Sequence, residues 1–292
     1  MSMVNTSYTL TQSQKMMVFV LSMSLYGLSN MFTELIPSVR LGPIELSVEY
    51  FAFIPLTLCM LFHPWYAAVG AALGEVIFGE LMLGQFGGIG ELEKFITFSL
   101  AMYTAGRMVS DPTNRRQVGI AAIMGVAIHQ ALSSIVDIMK VWVGVEELEA
   151  VPGLAESVVV IEGVSFLNDV LFSGILFALL PTVYLVPRLY GKIEPLLGMK
   201  PRTKQTKYAT TAWLSPKLVI VGVLLSCLAL GAELLSESDW AFGEWEPEWA
   251  EVWGSALFWI STAAAAVIAV LILVLLLRRG NKKQNGADVT NV

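Results

Sequence analysis

Charge is scarce in this chain. Only 14% of its 292 residues are Asp, Glu, Lys or Arg, and only two are histidines, His63 and His129. A soluble globular domain carries about 25% charged residues, so a soluble enzyme and a disordered protein are both excluded. Cysteine is almost absent. Cys59 and Cys227 both lie in apolar runs, which excludes a disulfide scaffold and a cysteine-ligated metal centre. There is no G-x-x-x-x-G-K-[ST], no H-E-x-x-H and no G-x-S-x-G, so the standard devices for ATP binding, zinc hydrolysis and serine esterase chemistry are missing. The Gly-rich run 84–90 follows no soluble strand and reads as a flexible loop. No basic nucleic-acid footprint is present, since the formal charge is −6.

Apolar sequence is abundant. Hydrophobic residues make up 55% of the chain and the mean hydropathy is +0.67. A bilayer span takes about 20 mainly apolar residues. Eight segments qualify or nearly qualify: 16–32, 50–62, 65–83, 95–108, 118–143, 164–186, 218–235 and 254–277. The expected fold is an all-α integral membrane protein. His63-Pro64 divides the second and third spans, because proline removes a helix donor and restricts the residue before it. No Ala-x-Ala site follows the first run, which is therefore read as a retained span rather than a signal peptide.

The charges sort by loop. With both termini on one side, that side receives Lys15, the trio Arg107, Arg115 and Arg116, every basic residue from Arg188 to Lys217, and the four at 278–283. Only Arg40, Lys94 and Lys140 fall elsewhere, while 21 of the 24 acidic residues do. Lysine and arginine mark cytoplasmic loops, so both termini are expected in the cytoplasm of a plasma-membrane protein. Residues 1–190 then form a six-span body, 191–217 a basic cytoplasmic linker, and 218–292 a two-helix hairpin with a basic tail. The linker reads as an ordinary positive-inside loop near anionic lipid, or as a docking surface for a cytoplasmic partner. In the hairpin, Trp245, Trp249 and Trp253 recur every fourth residue, which predicts a short amphipathic helix at headgroup depth.

Ionisable groups inside spans are costly, and by default they face protein or a water-filled cavity. Span three carries Glu75 and Glu80. Span five carries His129, Ser133 and Asp137 at i, i+4 and i+8, one face of a helix. Span six carries Asn168 and Asp169, and Glu49 closes the loop that contains Arg40. These residues are the candidate substrate contacts. Structural readings stand beside this one: Asp137 paired with Lys140 on its own helix, and Asp169 paired with His129. The acidic balance favours a cationic or zwitterionic solute. A metal fits poorly, with no paired histidines, and neither a metal nor a cofactor is expected. In span three, Ala67, Gly70, Ala71 and Gly74 form two small-xxx-small pairs, which serve either packing within the bundle or docking of another membrane subunit.

The stretch Ile36-Pro-Ser-Val-Arg-Leu-Gly-Pro-Ile-Glu-Leu-Ser-Val-Glu-Tyr-Phe-Ala-Phe-Ile-Pro55, then His63-Pro64 and Ala67-Ala-Val-Gly-Ala-Ala-Leu-Gly-Glu75, resembles the substrate-binding S component of energy-coupling factor (ECF) vitamin transporters. The likeness covers about residues 16–190. It implies a six-helix bundle that captures a vitamin-like micronutrient beneath the loops 33–49, 84–94 and 144–163. It also implies a separate transmembrane coupling subunit and two ATPases, with no enzymatic activity in this chain. The C-terminal hairpin is additional to the family's six spans. A stand-alone proton- or sodium-coupled transporter, with His129, Asp137 and Asp169 as the relay, is one rival. A lipid-acting enzyme and a membrane accessory or sensory protein are the others.

Overall fold

The computed structural model describes residues 10–33, 39–41, 44–46, 50–84, 86–143, 157–203, 216–236, 244–245 and 267. Among these, helix dominates. In chain order they are α1 (Gln12–Thr33), β1 (Val39–Leu41), β2 (Ile44–Leu46), α2 (Phe53–Leu61), α3 (Pro64–Gly74), β3 (Phe86–Gly87), α4 (Glu91–Met108), α5 (Arg115–Val143), α6 (Ser157–Asn168), α7 (Leu180–Leu189), α8 (Pro216–Ser236) and β4 (Glu244–Trp245). Two π-helical segments extend these elements. Glu75–Leu81 continues α3, and Asp169–Leu179 joins α6 to α7 into one rod, Ser157–Leu189. Among the described residues, three helices are long and apolar enough to cross a membrane: Gln12–Thr33, Arg115–Val143 and Ser157–Leu189. At 1.5 Å per residue, even the shortest of these reaches about 33 Å, the thickness of a bilayer core. Seven of the eight apolar segments read from sequence are helical; the eighth, 254–277, lies outside the described residues apart from 267.

Small residues set the packing. The core runs through Leu56, Cys59, Met60, Ala67, Ala71, Phe98, Ala101, Met102, Ala121, Ala122 and Val126, all buried. The tightest crossing is α1 on α3. A Cβ built on Gly70 would lie 2.4 Å from the Phe19 carbonyl oxygen, and one on Gly74 would lie 2.2 Å from that of Met23. Ser22 Oγ donates to the Ala67 carbonyl at 2.6 Å. The stripe Ala67, Gly70, Ala71 and Gly74 is therefore spent on α1. This corrects the docking alternative: the face is buried, so a separate subunit cannot reach it.

Helix α8 packs on the body. Ala229 of α8 joins Ile96 and Leu100 of α4 in a small apolar cluster. Ser236 Oγ donates to the Gly87 carbonyl at 3.2 Å, and β3 pairs antiparallel with β4, Phe86 opposite Trp245. Two corrections follow. The Gly-rich run is not a loose loop, because Gly84 and Gly88, with φ of 74° and 66°, turn it into a strand and a single 3-10 turn. Residues 244–245 are strand, not helix; the other residues of the expected tryptophan helix lie outside the described set.

The linker also departs from a solvated loop. Leu197 and Met199 belong to the main core. Arg202 is buried, and its guanidinium donates to four main-chain carbonyls: Cys59 (3.3 Å), Met60 (2.8 Å), Gly106 (3.1 Å) and Val109 (2.7 Å). These oxygens belong to the last turns of α2 and α4, where helix carbonyls lack intrahelical donors and the helix dipole is negative. Tyr190 Oη donates in turn to the Arg202 carbonyl. Residues 190–202 thus form a plug that closes one end of the bundle.

Candidate functional site

The two ends of the bundle differ in charge. The plugged end is basic and ringed by aromatics: Lys15 lies 5.7 Å from the Tyr66 ring, Arg107 5.4 Å from Tyr103, and Arg188 4.0 Å from Tyr184. Trp65 packs edge-on against Tyr103. In the plug, burial and the nearby Glu194 and Asp111 raise the Tyr190 phenol above its ordinary range. At the turn between α2 and α3, burial, with Arg202 and Lys15 nearby, pushes His63 down to about 4, so it is neutral at pH 7.

The opposite end is acidic, and three helices build it. Lys140, in the last turn of α5, pairs with Asp137 one turn back at 3.1 Å and with Glu233 of α8 at 3.3 Å. Ser133 Oγ donates to Glu93 of α4 at 3.4 Å. Glu93 is buried and lies within electrostatic range of Asp137, Lys140 and Glu233. Three carboxylates therefore face one ammonium. A Cβ on Gly90 would lie 3.0 Å from Glu233 Oε2, so the start of α4 abuts this group. There Lys94 bridges Glu80 and Glu91, each at 3.3 Å. On the flank, Glu162 of α6 accepts from Ser134 and feels both Asp137 and Asp169. Asn168 Nδ2 donates to Asp169 Oδ1 at 3.3 Å. Both π segments begin on acidic residues from the candidate set, Glu75 and Asp169. Such insertions re-aim side chains and are frequent at functional sites.

The structure thus brings Ser133, Asp137, Asn168, Asp169 and Glu80 to one end, with the Asp137–Lys140 pair as anticipated. It does not bring all candidates there. His129 is held edge-on between the rings of Tyr50 (5.5 Å) and Phe98 (5.3 Å), below the acidic group. It makes no hydrogen bond or ion pair to Asp169 among the described residues, which corrects that pairing. Glu75 sits on the π segment about one turn from Glu80. Arg40 stands opposite Glu45 in the antiparallel β1–β2 pair, and Glu49 lies outside the described residues. Sequence reasoning missed Glu93 and Glu233. Glu233 had a signal, being the lone charge within the apolar segment 218–235. Among the described residues no group of three or more His, Cys, Asp or Glu side chains is placed to hold a metal ion.

This fold and site define a helical protein whose apolar helices suit a membrane and whose bundle is basic at one end and acidic at the other. The chain belongs to a family of unknown function, DUF8171, whose model matches residues 17–285. No curated protein and no solved structure matches it.

Proposed function

We propose that this chain is a multi-pass plasma-membrane protein, termini in the cytoplasm, that captures a cationic or zwitterionic vitamin-like solute from outside. In this reading it is a six-helix S-component-like body with a C-terminal hairpin, about eight spans in all. It performs no chemistry, and separate coupling and ATPase subunits drive uptake. One observation carries the reading: Asp137 and Glu233 pair with a single ammonium, Lys140, with Glu93 of a third helix beside them at one end, while Arg202 plugs the other. An excess of fixed carboxylates in a partly buried site attracts a cation far more strongly than the same charges in water. The basic, aromatic-ringed end matches the cytoplasmic boundary of a positive-inside topology. A coupling subunit has to engage a face other than Ala67–Gly74, which α1 covers.

Uptake of a radiolabelled cationic vitamin such as thiamine tests the whole scheme. Cells expressing this chain with an ECF coupling module accumulate the probe, and cells lacking the ATPases do not. Accumulation by the lone protein in ATP-free liposomes points instead to the proton- or sodium-coupled alternative. That alternative needs a relay through His129, and His129 here is walled by aromatic rings.

A further inference from the structure

Away from the acidic end, the surface carries a groove of about 310 Å³ between α1, α2 and α7. Its walls include Leu21 and Leu25 of α1, Phe53 and Leu58 of α2, and Leu185 and Leu189 of α7. One lining residue is polar. Thr57 is 5% exposed, and its hydroxyl is buried without a hydrogen-bond partner. A buried donor without an acceptor is unfavourable, so the groove as it stands is incomplete. Thr57 sits about one turn from the end of α2, roughly 9 Å along the axis from the His63 turn. With the proposed topology, in which the His63 turn lies at the headgroup surface, this puts Thr57 near the boundary between hydrocarbon and ester oxygens. The floor reaches the plug through Ile193, Leu196 and Leu197. Next in sequence to the lining residues Leu189 and Ile193, Arg188 and Lys192 are exposed cations. Arg188 is held over the Tyr184 ring, the arrangement of an interfacial anchor.

We propose that this groove is a binding site for one anionic phospholipid of the leaflet at the basic end of the bundle. An acyl chain lies along Leu21, Leu58 and Leu185. An ester carbonyl accepts from Thr57, and the phosphate faces Arg188 and Lys192. The apolar walls fit a hydrocarbon chain, the unpartnered hydroxyl asks for an acceptor, and the paired cations ask for an anion. A protein partner supplies no reason for an apolar groove, an unpartnered hydroxyl and two exposed cations to lie close together. The site is independent of whatever the acidic end binds.

The test uses the full-length protein in mild detergent, delipidated and then titrated with dioleoyl phosphatidylglycerol or dioleoyl phosphatidylcholine, with retained lipid counted by native mass spectrometry. Wild type retains one phosphatidylglycerol, with about a tenfold preference over phosphatidylcholine, the scale set by two basic side chains near a headgroup. Leu25→Trp and Leu185→Trp each fill the groove from its lip and abolish retention. Arg188→Gln/Lys192→Gln keeps the bound lipid but removes the headgroup preference, and Thr57→Val weakens both lipids alike. Leu25 is itself 39% exposed, so its variant leaves the fold intact. Equal retention of the two lipids by wild type, or a bound lipid that survives both tryptophan variants, overturns the proposal.

Discussion

Lys140 Nζ lies 3.3 Å from Glu233 Oε1, an ion pair that fastens α8 of the C-terminal extension to α5 of the body across 93 residues of sequence. Both side chains are mostly buried, at 10% and 16% exposed. Removing one partner of such a pair strands the other, while removing both does not. Lys140→Met is therefore expected to destabilise the protein by about 2–4 kcal/mol, because Asp137 and Glu233 lose their shared cation beside a third buried carboxylate, Glu93. Lys140→Met/Glu233→Gln recovers part of that loss. Thermal unfolding of the four proteins in one detergent checks the cycle; strictly additive losses contradict it.

The Arg202 plug makes a second prediction. Four carbonyls from two helix ends depend on one planar guanidinium. Arg202→Ala is expected to cost about 3 kcal/mol or more, since hydrogen bonds to charged groups contribute roughly 1.5–3 kcal/mol each and do not sum. Arg202→Lys rescues little, because an ammonium offers three donors from a point and cannot span both helix ends. Equal melting temperatures for wild type and Arg202→Lys contradict the geometry.

Gly74 tests the α1–α3 crossing. A methyl group there meets main chain, the Met23 carbonyl oxygen at 2.2 Å, and main chain cannot swing aside. Gly74→Ala is expected to cost about 1–3 kcal/mol or to abolish expression. Gly222→Ala on α8, where a Cβ meets nothing within 4 Å, is the control and shifts the melting temperature little. If the two behave alike, α1 does not sit where it is described.

His63 sets a pH dependence. Its ordinary value is 6.5 and the fold holds it at about 4, chiefly by burial and secondarily through Arg202 and Lys15. The unfolded chain binds the proton first, so the folded state is disfavoured progressively as pH falls from about 6.5 to 4 and is unaffected above that window. Melting temperatures from pH 8 to 4 are expected to fall less steeply for His63→Gln than for wild type. Parallel profiles contradict the assignment.

Much of this architecture was legible in the sequence because hydrophobic run length is a local signal. The segments 16–32, 118–143 and 164–186 all lie in long apolar helices, and His63-Pro64 falls at the α2–α3 turn. The stripe Ser133–Asp137 was legible for the same reason, being a spacing on one helix. Arg202 was not: its four acceptors lie 93 to 143 residues away, and a basic, proline-containing stretch is the ordinary signature of a solvated loop. The Ala67–Gly74 stripe was visible, but not what covers it, since the pattern is the same for an internal helix and a foreign one. Residues 84–90 misled because glycine permits both a loose loop and the tight strand and turn found here.

The most direct test of the central claim is equilibrium binding to the purified full-length protein, with thiamine as the cationic probe and biotin as the anionic control. The account predicts saturable, salt-sensitive binding of the cation only. Asp137→Asn and Glu233→Gln each weaken it about tenfold or more, the loss of one charge-assisted contact, while the protein stays folded. Binding unchanged in both variants, or preference for the anion, contradicts an acidic cation-capturing site at this end of the bundle.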